Sequence, residues 1–372
     1  MSQEKVPFFT LKYQFEKHGK KLAQALVDKA ERGDFILSQS VEQFEEKLSR
    51  FTGAKYVVGV ASGTDALILA LDALGLPKGS EVITTPFSFF SSTSCIVKNG
   101  LKPVFVDVDE RTYNIDACLI DEKVGENTVA LLPVHLFCQT AQMDKIMEVS
   151  KKYSLKVLED SAESFGVRYR GVHAGLIGDV GVLSFFPTKT LGAYGDAGAV
   201  ITNDEEIAEK VRVLRVHGAS PKYFHRYIGY NSRLDALQAE VLKVKMDFVD
   251  LEIKEREKAV SLYQEKLREV EEVKTPEVIE GVEPVWYVYT IRAQRRDELK
   301  KYLLEKGVST VIYYPKPLHL QKCFGYLGYQ ESDFPVAEKL CREVLALPLF
   351  PGITEDMVLK VCREIRNFYA FA

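Results

Sequence analysis

Cysteine and histidine are sparse and scattered in this chain. The six cysteines, Cys95, Cys118, Cys138, Cys323, Cys341 and Cys362, include no Cys-x-x-Cys pair, and the six histidines show no His-Glu-x-x-His spacing. That argues against a metal site and reads as free, mostly buried thiols in a reducing cytoplasm. Long hydrophobic runs are missing too: none approaches the ~18–20 residues of a membrane helix. The opening Met1-Ser2-Gln3-Glu4-Lys5-Val6-Pro7 lacks the apolar centre of a signal peptide. The formal net charge is −4 and no large basic block stands out, which argues against nucleic acid as the main partner. There is no internal repeat and no low-complexity segment, and no Gly-x-Gly-x-x-Gly turn follows a strand, which argues against dinucleotide binding.

What is present is an ordinary soluble composition, 46% hydrophobic and 27% charged, over 372 residues, a two-domain length. Near-continuous apolar strands are expected at 56–60, 81–84, 103–108, 129–134, 156–160, 182–185 and 199–201. Helices at 13–31, 66–74, 91–98, 141–152 and 204–216 alternate with them, which indicates an α/β layer with a mostly parallel sheet. Ser40 stands three residues before Gln43, so it reads either as a capping box for the helix through Leu48 or as a chance spacing. A long amphipathic helix opens after Asp235, runs through about Met246 and is expected to continue past Lys266. Beyond about 246 the composition changes: charged helices, a strand at 285–292, a helix at 296–306, a proline-stiffened loop at 315–319 and a last helix at 355–368.

Three places carry chemistry. The strand at 56–60 runs into Ser62-Gly63-Thr64 and a helix start, where backbone N–H groups and the helix dipole suit an anion; the alternative is a plain N-cap. Of Phe87, Phe89 and Phe90, two read as core and one as a stacking face for a flat ring. Asp160 ends a strand, where open α/β sheets place ligand groups, or else caps the next helix. Lys189 sits between two apolar strands in Ser184-Phe185-Phe186-Pro187-Thr188-Lys189-Thr190-Leu191-Gly192. It is either a solvated loop residue or a buried lysine, and burial would leave a free amine able to attack a carbonyl.

In this order, Ala61-Ser62-Gly63-Thr64-Asp65-Ala66-Leu67, Leu158-Glu159-Asp160-Ser161-Ala162-Glu163, the lysine segment, Asn231-Ser232-Arg233-Leu234-Asp235 and Leu347-Pro348-Leu349 resemble the DegT/StrS sugar-nucleotide aminotransferases. These are fold-type-I enzymes of pyridoxal 5'-phosphate. The resemblance implies an α/β/α large domain with a mostly parallel sheet (1–245) and a smaller α+β C-terminal domain (246–372). It implies that Lys189 forms the Schiff base and later carries a proton, that Asp160 pairs with the ring nitrogen, that Gly63, Thr64 and Ser184 hold the phosphate, and that Phe89 stacks on the ring. Asn231 would reach the phosphate from a neighbouring subunit, making a homodimer with shared active sites. Arg233, Tyr313 and His319 would bind the nucleotide or sugar.

The implied reaction is ping-pong. L-glutamate leaves as 2-oxoglutarate, pyridoxamine 5'-phosphate holds the amino group, and a nucleotide-linked keto-hexose receives it. The opening Phe8-Phe9-Thr10-Leu11-Lys12 and the Asn231 segment favour a 3-keto sugar over a 4-keto-6-deoxy sugar. Lys189 favours transamination, since the family's dehydratases carry His there. A non-catalytic regulator on the same fold is the competing class. Three positions depart from the family pattern: Glu163 where Gln is usual, Cys138 where Gly is common, and Tyr313 where His is frequent. An ionised Glu163 cannot donate a hydrogen bond to the ring oxygen, so it is protonated, bonds differently, or alters the local electrostatics.

Overall fold

The computed structural model describes residues 5–370; Met1–Glu4, read above for leader character, lie outside the described residues. Two helices come first, α1 (Lys12–Arg32) and α2 (Gln39–Thr52). The alternating body follows: β1 (Tyr56–Val60), α3 (Gly63–Leu74), β2 (Glu81–Thr84), α4 (Ser91–Lys98), β3 (Lys102–Phe105), β4 (Thr128–Leu131), α5 (Met143–Tyr153) and β5 (Lys156–Asp160). Then come β6 (Arg168–Tyr169), β7 (Val172–His173), β8 (Val180–Ser184), β9 (Gly198–Thr202), α6 (Glu205–Leu214), α7 (Ala236–Met246) and α8 (Val249–Leu267). The C-terminal part holds β10 (Val273–Lys274), β11 (Val282–Glu283), β12 (Tyr289–Ala293), α9 (Arg296–Glu305), α10 (Pro335–Glu343), β13 (Val344–Leu347) and α11 (Glu355–Ala370).

Seven strands form one sheet in the order β1-β9-β8-β5-β4-β2-β3. All its pairings are parallel except those of β9, which runs antiparallel to β1 and β8. The expected mostly parallel α/β sheet is therefore present. Its apolar runs are buried on both faces, as a three-layer architecture requires. Leu158, Val182 and Val200 face α3, α4 and α6. Their neighbours Leu183, Ala199 and Ile201 face α2 and α7, and Val157 faces α5. A second, antiparallel sheet, β10-β12-β13, packs with α8, α9 and α11 around Tyr263, Tyr289, Leu303 and Ile365. The register that matters for the site pairs Asp160 with Val182 and Ser184 with Gly198. It sets the ends of β5, β8 and β9 side by side.

Four local expectations are corrected. The capping box at Ser40 does not form: α2 starts at Gln39 with Ser38 at its N-cap. The Ser40 hydroxyl instead donates to Glu240 Oε1 at 2.6 Å, inside the α2–α7 contact. The long helix is interrupted at Asp247-Phe248, where Phe248 stacks on His18 of α1 at 3.5 Å and Asp247 takes ion pairs from Lys21 and Lys47. The strand expected over 285–292 begins only at Tyr289. Residues 285–288 run instead beside Phe137 and Cys138, through Val285 N–H to the Cys138 carbonyl and Tyr287 N–H to the Phe137 carbonyl. Of the three aromatics after Pro86, Phe87 alone is core; Phe90 stacks on Phe324 with nearly half its surface exposed.

Candidate active site

The strand ends and helix starts enclose a cavity of about 420 Å³. At one end lies the start of α3. Ser62 is its N-cap, its Oγ accepting the Asp65 N–H at 3.0 Å. Thr64 Oγ1 and Ser91 Oγ are 2.7 Å apart. The backbone approaches closely here. A Cβ on Gly63 would lie 2.7 Å from Ser184 Cβ, and one on Gly198 would lie 2.5 Å from the Ser62 carbonyl. The two glycines bring the ends of β8 and β9 against the helix start, where N–H groups and the dipole suit an anion.

Asp160 lies in the cavity wall at the end of β5, 4% exposed. Its Oδ2 accepts the Ser92 hydroxyl at 2.7 Å and its Oδ1 the Ala162 N–H at 3.2 Å. Burial pushes this carboxyl up from its ordinary value, against the Ser92 bond and the nearby Lys189 charge. A second buried carboxylate, Glu159, braces the same strand. It accepts the N–H groups of Gly175, Ile177 and Gly178 and contacts His135 Nε2 at 2.9 Å. His135 Nδ1 accepts the Ala141 N–H, so Nε2 carries the proton and donates.

Lys189 projects into the cavity from the turn between β8 and β9. That turn is held by Lys189 N–H to the Phe186 carbonyl and Ala193 N–H to the Phe185 carbonyl, both 2.8 Å. Its Nζ is 3.2 Å from Glu163 Oε1 and 4.3 Å from the centre of the Tyr287 ring. The expectation that burial leaves a free amine is corrected. Burial does oppose the ammonium, but Glu163, Tyr287 and Asp160 outweigh it and raise the lysine above its ordinary value. Glu163 bonds only as an acceptor: from Lys189, from the Tyr314 hydroxyl at 3.1 Å, and from the Phe137 N–H at 3.4 Å.

Gly63, Thr64, Phe89, Asp160, Glu163, Ser184, Lys189 and Tyr313 all line this one cavity. Phe89 is 58% exposed and its ring opens on the same space. Asn231 is exposed and Arg233 half-buried, both outside the lining. His319 is also outside. It is buried against Phe105 and Phe334, with Nε2 3.2 Å from Glu338 Oε1.

Sequence reasoning passed over Ser92, Tyr287 and Tyr314 as site residues. The run of small hydroxyl residues opening α4 was the available signal for Ser92; Tyr287 arrives by a long-range contact with no local signature. Among the described residues no group of three or more His, Cys, Asp or Glu side chains is placed to hold a metal. No helix of the described residues is long and apolar enough to cross a membrane.

The chain is 44% identical over 366 residues to a pleiotropic regulatory protein of Geobacillus stearothermophilus, covering 98% of each. It is 38% identical over 363 residues to the dTDP-3-amino-3,6-dideoxy-alpha-D-galactopyranose transaminase of Aneurinibacillus thermoaerophilus, covering 98% of this chain and 99% of that one. The crystal structure of Streptomyces venezuelae DesV in complex with a ketimine intermediate superposes with a TM-score of 0.96 at 35% identity, over 98% of both chains. Residues 16–366 match the DegT/DnrJ/EryC1/StrS aminotransferase family, and the chain belongs to that family.

Proposed function

We propose that this protein moves the amino group of L-glutamate to a nucleotide-linked 3-keto hexose, releasing 2-oxoglutarate and a 3-amino sugar nucleotide. The enzyme class follows from the family, and the cofactor is pyridoxal 5'-phosphate. The cavity's donor set fits that group. It offers a helix start for a phosphate, a buried carboxylate for a ring cation, an amine for a carbonyl and an aromatic face. The observation that carries the proposal is Lys189 and Asp160 converging on one cavity with Gly63 and Ser184.

In this reading Gly63 N–H, Thr64 Oγ1 and Ser184 Oγ bind the phosphate. Asp160 keeps a proton on the ring nitrogen, and a carboxylate already raised by burial gains most from a cation beside it. Phe89 covers one ring face. When bound, the cofactor supplies an electron sink for the substrate carbanion. Lys189 Nζ moves the proton at the reacting carbon. Glu163 would lie beside the cofactor ring, and Tyr313 would bind the substrate. Asn231, and with it Arg233, would act at the neighbouring subunit's site or in holding the sugar nucleotide, within a cytoplasmic homodimer; His319, at 1% exposure and outside the cavity, is not in a position to touch either. We take 1–245 as the cofactor-binding domain and 246–372 as the smaller one. The seven-stranded sheet, drawn wholly from residues before 246, and the β10-β12-β13 sheet, drawn wholly from residues after it, support that division.

A 3-keto sugar is supported by the name of the Aneurinibacillus relative, a transaminase of a 3-amino sugar. A second reading, a regulator retaining the fold, is favoured by the name of the Geobacillus relative. The absorption spectrum with pyridoxal phosphate separates the two. The expected result is a visible band that fades on adding L-glutamate while 2-oxoglutarate appears. The Lys189→Ala variant is expected to show no detectable glutamate half-reaction. Full turnover by that variant would overturn the assignment, and a band that ignores glutamate would favour another amino donor or the regulatory reading.

A further inference from the structure

Lys189 is the only cation among the residues lining the cavity, and it faces several groups that are acidic or electron-rich. Glu163 meets it from the segment after β5, and Asp160 from the end of that strand. Tyr287 offers its ring face, Tyr313 and Tyr314 line the same wall, and Asp196 lies in the lining ahead of β9. Only Glu163 makes a direct polar contact with Nζ, at 3.2 Å. Glu163 is itself fixed: Tyr314, half-buried against the aromatic wall, donates to Oε1, and the Phe137 N–H donates to Oε2. These two donors hold the carboxylate in one place.

We propose that Glu163 is the positioning residue that holds Lys189 as an ammonium whenever the lysine is not bonded to the cofactor, with Tyr314 fixing the carboxylate in place. A protonated amine has no lone pair for attack on a carbonyl. Lys189 is thereby kept from reacting with a carbonyl in its own site until a proton leaves, and it stands ready as an acid. This consequence for the amino-loaded state rests on the aminotransferase reading above; the lysine's charge state in the unloaded protein does not. The raised position of Lys189 is the direction the geometry requires.

The test uses cofactor-free protein and trace labelling with acetic anhydride from pH 7 to pH 11. Lys189 modification is read by mass spectrometry against exposed Lys20 as internal reference. In the native protein Lys189 is expected to label later in pH than Lys20. Glu163→Gln, nearly isosteric, is expected to move the profile down by about one pH unit, or about tenfold faster labelling at pH 9. Tyr314→Phe removes one donor but keeps the carboxylate and its Phe137 N–H bond, so its profile is expected to fall by less than that of Glu163→Gln. Two results would overturn the proposal: superimposable native and Glu163→Gln profiles, or Tyr314→Phe falling as far as Glu163→Gln, which would mark general loosening of the pocket. The labelling involves neither cofactor nor glutamate, so its failure is distinct from failure of the glutamate half-reaction.

Discussion

At the scale of single residues the site stores unfavourable electrostatics that its ligand is suited to relieve. Asp160 is a buried carboxylate whose ordinary acidity is opposed by desolvation and only partly restored by Ser92. A carboxyl raised on folding gives stability that is fully present below its unfolded value and is lost as pH rises through the folded one. At pH 7 the charge is therefore a cost in the unloaded protein. Asp160→Asn is expected to raise the cofactor-free melting temperature at pH 7, because the amide carries no charge to desolvate. That gain should shrink as pH falls through the carboxyl's range, and the stabilisation that pyridoxal phosphate gives the native protein should be largely lost. Thermal shift with and without cofactor, at pH 4.5 and 7, checks both halves. Lys189 and Asp160 were legible in the sequence because an amine or an acid amid apolar strands needs an explanation. The ion pair between Lys189 and Glu163 was not, since the residues lie 26 positions apart and meet only when β5 and β8 pair.

At the scale of elements, the site depends on how closely β9 and β8 approach the start of α3. Gly198 leaves no room for a side chain: a Cβ there would meet the Ser62 carbonyl carbon and the Gly63 nitrogen at 2.5 and 2.7 Å. Gly198→Ala must push the helix start outward and misdirect its N–H groups. Affinity for pyridoxal phosphate is expected to fall about tenfold or more, the equivalent of ~1.4 kcal/mol, with the far-UV spectrum retained. Titration of the visible band measures it. An unchanged affinity would mean that the helix start does not hold the phosphate. Helix existence was readable from periodicity in α1, α3 and α11. The break between α7 and α8 was not, because Phe248 leaves the helical path to stack on His18 of α1, a contact 230 positions back.

At the scale of the whole molecule, several large apolar side chains are exposed. Phe89 and Phe186 open beside the cavity, and the segment near Asn231 exposes Tyr223, Phe224 and Ile228, the last at 98%. Isolated exposed apolar residues are ordinary, and the homodimer proposed above is tested directly. If Asn231 serves the neighbouring subunit, Lys189→Ala and Asn231→Ala proteins mixed and allowed to exchange should recover activity beyond the sum of the two. Each hybrid dimer would then carry one site with both defects and one with none. Activity no greater than that sum, in a mixture shown to have exchanged, would place Asn231 in its own subunit's site.

The sequence by itself determined the alternation of strands and helices, the mostly parallel sheet, and the residue types the chemistry needs. Those are written locally, in runs of Val, Ile and Leu and in a lysine or an acid where apolar neighbours are the rule. Only the tertiary structure decided the rest. It carried Ser40 into a helix contact and made it a partner of Glu240 rather than a cap. It drew Tyr287 out of an expected strand and laid its ring against Lys189. It buried His319 beside Glu338, away from the cavity, and set Glu163 and Tyr287 against Lys189, which raise the amine above its ordinary value where burial alone would lower it. The physical reason is common to all of them: hydrogen bonds, burial and charge at a residue depend on neighbours that are distant in sequence, and no local pattern encodes which neighbours those are.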